Sequence, residues 1–251
     1  MEVHHHPQVE KKGFKEYFLE FLMIFLAVTM GFFAETIREK IAEAHREKDY
    51  IGGLINNIQN DTANLKELIG SNDLELKAID SLLKITKKKF AALPVQDSIF
   101  YYAVGYTINL HIFTFNDLTL VQLRNAGGYT LIKTDNVADS IALYEDRNNN
   151  IILQERFYTD SYLQTWASLK QVFDETLAPA FFQSYRVSKK IPGGFNVMVT
   201  GDEEKIDLLF NNYWTFSITL NGYNNMLKAQ LEYLKGFINF LQRKYDLSGH
   251  G

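Results

Sequence analysis

The sequence predicts a mainly α protein. One N-terminal transmembrane helix continues into an antiparallel helical bundle, with a loop or small hairpin near residues 187–200. Three observations carry this reading. Only 4 of 251 residues are proline, and Pro94, Pro179 and Pro192 stand far apart, leaving long intervals open to helix. Apolar residues recur at three- and four-residue steps through most of the chain. Near the start, Phe21–Ala34 carries no charge, and Thr29 is its one polar side chain. A hydrophobic share of 46%, with 19 Phe and 14 Tyr, supplies a core and argues against disorder. The expected organisation is a tail over 1–13, an anchor over 14–34, a helical extramembrane domain over 35–247 and a short tail over 248–251.

The anchor comes first. As a helix, Phe21–Ala34 spans about 21 Å, and extension back to Tyr17 gives about 27 Å, close to a hydrocarbon core of about 30 Å. That extension draws Glu20 inside the boundary. A cleaved signal peptide needs small residues at the cut; Ala34 would serve, but Phe32 would not. A buried soluble helix has little use for apolar residues on every face. An uncleaved single-pass anchor fits best. Its flanks are nearly balanced, with Lys11, Lys12 and Lys15 before it and Arg38, Lys40, Arg46 and Lys48 after it. The ordinary signal-anchor outcome, a short cytoplasmic tail and an exported bulk, sets the expectation for orientation. Glu20 is read as a headgroup-depth carboxylate, with an assembly contact or proton-linked site as the functional reading. Ala27 and Gly31 form a small-xxx-small pair through which two helices can approach. Glu20, Ala27 and Gly31 are therefore the membrane and assembly candidates.

The elements after the anchor follow in order. Ile37, Ile41, Ala44, Ile51, Leu54, Ile55, Ile58, Leu65, Leu68 and Ile69 continue the helix, with Gly52-Gly53 as its weak point and Gly70-Ser71-Asn72 as its end. A second helix is expected over Leu74–Ala92, closing at Pro94. Residues 95–113 read as a short helix or an irregular segment under the bundle. Asn116 or Asp117 caps a short helix through Arg124, and Gly127-Gly128 turn the chain. A long helix from Thr134 or Asp135 carries Val137, Ile141, Tyr144, Ile151, Phe157, Trp166 and Leu169, with Asn148-Asn149-Asn150 read as a kink rather than a break. Between Pro179 and Gly201 the helical pattern lapses. Asp202 caps a final helix reaching Leu247, with Asn221-Gly222 as a bend.

Chemistry is excluded more readily than assigned. Without cysteine there is no disulfide, zinc ribbon or thiol nucleophile. A net charge of −4 argues against nucleic acid as a partner. No His-Glu-x-x-His, Gly-x-Ser-x-Gly, P-loop or dinucleotide fingerprint occurs, so no catalytic, cofactor or metal residue is named. His4, His5 and His6 lack fixed geometry for a metal. His45 reads as surface and His111 as a satisfied core or interfacial group. Asp202-Glu203-Glu204 and Lys87-Lys88-Lys89 suit helix dipoles.

Two stretches carry a resemblance. FKEYFLEFLMIFLAVTMGFFAETIREK with EKDYIGGLINNIQNDTANL, and TFNDLTLVQLRNAGGYTLIKTDNVADSIALYED, resemble segments of uncharacterised single-pass membrane proteins of Bacteroidota-type bacteria. Together they cover about a third of the chain. The resemblance implies an N-terminal inner-membrane anchor and a helical extramembrane domain, and it brings no catalytic residues. The expected function is a non-enzymatic membrane-anchored module that touches the lipid bilayer and binds a protein partner or itself, its C-terminal domain periplasmic. The alternative is a subunit of an oligomeric membrane complex with Glu20 in an ion- or proton-coupled interior. A third expectation places a ligand pocket between residues 95–130 and 179–201.

Overall fold

The computed structural model describes residues 13–85, 93–107 and 110–247. The histidine tract, the two expected tails, Lys87–Lys89 and the end of the expected second helix lie outside them. Six α-helices occur among the described residues: α1 (Phe14–Leu83), α2 (Leu93–Thr107), α3 (Leu118–Asn125), α4 (Val137–Val172), α5 (Ala178–Ser188) and α6 (Glu203–Tyr245). Single 3-10 turns follow α3 and α4. The chain divides into two compact units, Met1–Tyr50 and Ile51–Gly251.

In the second unit the core is a three-helix arrangement. α6 runs antiparallel to α4, as Ser161 meets Thr219 at 2.5 Å and Gln230 Nε2 donates to Asn148 Oδ1 at 2.8 Å. α6 is likewise antiparallel to residues 51–83 of α1, which run alongside α4 in the same direction. Residues 93–107 and 110–136 belong to the return between them. The inward face of α1 is a seam of three- and four-residue steps: Ile51, Leu54, Ile58, Asp61, Leu65, Ile69, Asn72 and, further on, Glu75, Ile79 and Leu82, all buried.

The structure revises several expected boundaries. α1 does not end at Gly70-Ser71-Asn72. Glycine in a helix costs about 1 kcal/mol, which the buried seam on either side outweighs. Asn72, expected to stop the helix, and Asp73 beside it tie it to α6 instead: Asn72 Nδ2 reaches Asn224 Oδ1 at 3.4 Å, and Asp73 Oδ1 accepts from Asn224 Nδ2 at 2.8 Å and Lys228 Nζ at 2.7 Å. Gly52-Gly53 and Asn221-Gly222 also lie within unbroken helix. Pro94 opens α2 rather than closing its predecessor, at a position where its missing N–H is harmless. Asn148-Asn149-Asn150 lies within unbroken α4, where buried Asn148 accepts from Gln230.

The lapse after Pro179 is in fact α5, with proline in its first turn. No hairpin forms near 187–200. That stretch pairs with the end of α4 through one bridge, Phe173 with Met198: Asp174 N–H donates to the Val197 carbonyl at 2.8 Å and Val199 N–H to the Val172 carbonyl at 2.9 Å. Other expectations match. Gly127 and Gly128 turn with φ of 123° and 67°, conformations that favour glycine. Asn116 Oδ1 accepts from the Leu118 N–H at the start of α3, and Asp202 accepts from the Glu204 N–H at the start of α6.

Candidate functional site

The first candidate region lies in the N-terminal unit. Within α1, Glu20 is half-buried, and Ala27, Gly31 and Ala34 are exposed along one stripe. A Cβ placed on Gly31 would meet nothing within 4 Å, so the small-residue surface is open. Large apolar side chains surround it on all faces: Ile24 is 64% exposed, Phe25 54%, Leu26 49% and Met30 69%. The polar hydroxyl of this stretch is turned back on the helix, as Thr29 Oγ1 donates to the Phe25 carbonyl at 2.7 Å. Thr36 does the same to the Phe32 carbonyl at 2.9 Å. Charge resumes at Glu35, whose carboxylate accepts from Arg38 and is held below its ordinary range by that bond. Among the described residues, α1 is the one helix long and apolar enough to cross a membrane.

The second region is inside the bundle, where three long helices direct polar groups inward at one non-helical stretch. Residues 110–117 are non-helical and have no ladder to satisfy their N–H groups. The His111 N–H donates to Tyr158 Oη at 3.3 Å and the Phe113 N–H to Tyr223 Oη at 2.9 Å. The Asn116 N–H lies 3.2 Å from both Asp61 carboxylate oxygens. Asp61 also receives Tyr144 Oη at 3.5 Å. So α1, α4 and α6 each contribute an acceptor that pins the strap. The aromatic bodies of these residues form the core: the Tyr158 ring stacks on Phe216 at 5.7 Å and on Tyr223 at 5.1 Å between centroids. Burial pushes the Tyr158 and Tyr223 hydroxyls well above the ordinary phenol range, so they remain neutral donors and acceptors.

Two carboxylates on the α1 seam are perturbed by the same cause. Burial raises Asp61 to about 6, against the opposing hydrogen bonds from Asn116 and Tyr144. Burial alone raises Glu75 to about 8. Glu75 is 2% exposed, and neither of its carboxyl oxygens has a hydrogen-bond partner among the described residues. Neither residue was singled out from the sequence. The signal was phase: Asp61 follows Ile58 by three and precedes Leu65 by four, and Glu75 precedes Ile79 by four.

Residues 95–130 and 179–201 meet at an aromatic cluster, with the Phe100 and Phe181 rings 5.0 Å and the Tyr101 and Tyr185 rings 4.8 Å apart between centroids. An open cleft of about 390 Å³ lies between α1 and the strap, lined by residues that include Asn64, Glu67, Ser71 and His111. A second cleft of about 520 Å³ belongs to α5, around Phe182 and Arg186. Segment 179–201 also meets α2 through the Gly194 N–H, which donates to buried Asp97 at 2.9 Å. His45 is exposed and His111 half-buried. Among the described residues, no group of three or more His, Asp or Glu is placed to hold a metal. No family model matches the chain, and neither a curated protein nor a solved structure matches it.

Proposed function

We propose that this chain is a single-pass protein of a bacterial inner membrane, anchored by residues 14–34, whose helical domain binds another protein or a second copy of itself at the membrane surface and carries out no catalysis. The resemblance to anchored proteins of Bacteroidota-type bacteria belongs to the same proposal, as does a periplasmic domain. The observation that carries it is the outward apolar surface of the N-terminal part of α1. Side chains such as Phe21, Ile24, Val28 and Phe32, each more than half exposed on a helix of sufficient length, call for lipid. Apolar side chains left on the outside of the bundle, Phe157 at 64% and Trp214 at 60%, are of the kind that protein interfaces use.

Deleting Met1–Glu35 tests the anchor. Full-length protein should stay with membranes through an alkaline wash, and the shortened protein should appear in the soluble fraction. A full-length form that is freely soluble without detergent overturns the proposal. The binding half is tested by the mass of the particle released gently from its native membrane: a lone monomer counts against it.

A further inference from the structure

The buried polar groups of the bundle divide into those with a structural task and one without. Asp61, Tyr158 and Tyr223 each accept an N–H from the strap. Asn148 and Gln230 satisfy one another across α4 and α6. Glu75 has no such role. It sits on the α1 seam as deeply as its apolar neighbours, and the acceptor one turn before it, Asn72 Oδ1, is also buried without a donor. Three acceptor atoms are thus clustered on one helix face with no hydrogen among them. An ionised carboxylate so placed would lack every compensation that buried charge requires. A carboxylic acid is neutral and brings the missing donor.

We propose that Glu75 is kept protonated inside the folded bundle, and that release of this proton loosens α1 from α4 and α6, making the packing of the bundle sensitive to alkaline shift.

Among the described residues, the surroundings supply no counter-charge. On α1, Asp73 pairs outward with Lys228 of α6. From α4, the neutral Tyr158 and Tyr162 hydroxyls are its electrostatic neighbours. Beyond them lie Glu155, against Tyr223 of α6, and Glu175, against Tyr162; both would repel a second negative charge. His111 contributes its main-chain N–H, already given to Tyr158. Burial, which places Glu75 at about 8, agrees with the hydrogen-bond accounting.

The sign follows from proton binding. Between the ordinary value of 4.5 and about 8 the unfolded chain has lost this proton and the folded bundle retains it. Folding is therefore favoured fully below that window, weakens by about tenfold per pH unit within it, and levels off above it. The test uses full-length protein in detergent, unfolded by denaturant at a series of pH values, beside Glu75→Gln. Between about pH 6 and about pH 8 the wild-type folding constant should fall about tenfold per unit more steeply than that of E75Q. Parallel profiles overturn the proposal. Should E75Q not fold, infrared spectroscopy of the wild type decides: a protonated-carboxyl band present near neutral pH and lost at alkaline pH supports it, and no such band near neutral pH overturns it.

Discussion

Residues 14–34 and residues 51–83 belong to one helix and solve opposite problems. The first stretch carries Phe, Ile, Leu and Met outward on every face and returns its hydroxyl to its own backbone. The second buries one narrow seam, and into that seam it admits Asp61, Asn72 and Glu75. Hydrophobicity alone would rank the first as the better core helix. The comparison shows that phase, rather than amount, separates a protein core from a lipid-facing surface: an apolar residue out of phase with the seam stays outside however greasy it is.

The largest test of this contrast lies on α4, where Phe157 and Tyr158 are neighbours in sequence. Tyr158 is fully buried and Phe157 is 64% exposed. Tyr158→Ala should cost about 3–5 kcal/mol of unfolding free energy, and Phe157→Ala less than about 1 kcal/mol, by denaturant titration. Equal losses would break the phase argument. Next comes Val28→Arg in the outward stretch, expected to weaken membrane insertion by about 3 kcal/mol and read as protein released from alkaline-washed membranes.

Asp61→Ala leaves the Asn116 N–H without its acceptor and should cost about 1–3 kcal/mol, while Asp61→Asn keeps an acceptor and loses less. Because burial raises Asp61 from 3.8 to about 6, its contribution is fully present below that window and declines as pH rises through it. That slope should be absent in D61N. Tyr223→Phe removes the hydroxyl that receives the Phe113 N–H and should cost about 1 kcal/mol. The smallest effect is expected on the outside of α1, where Asp80→Ala breaks an exposed pair with Lys84 and should change stability by less than about 0.5 kcal/mol.

Period and caps were legible in the residues. The charge-free run, the Gly127-Gly128 turn and the Asp202 cap each depend on local chemistry, and each is found where that chemistry puts it. Breaks were misread because a Gly-Ser-Asn run carries its own turn propensity but not the partners waiting on another helix. Asn72 and Asp73 stay helical because Asn224 and Lys228, about 150 residues away, engage them. The same distance hid the interior. Tyr158 and Tyr223 read as aromatic material, and only the fold brings their hydroxyls to the N–H groups of the strap. Of the assembly candidates, Ala27 and Gly31 lie on an exposed stripe.

Residues 110–117 look like the first part of the bundle to come undone, yet their amides are fastened to three different helices. Solvent deuterium should enter the amides of His111, Phe113 and Asn116 about as slowly as it enters the middle of α4, and all should exchange together when the domain opens as a whole.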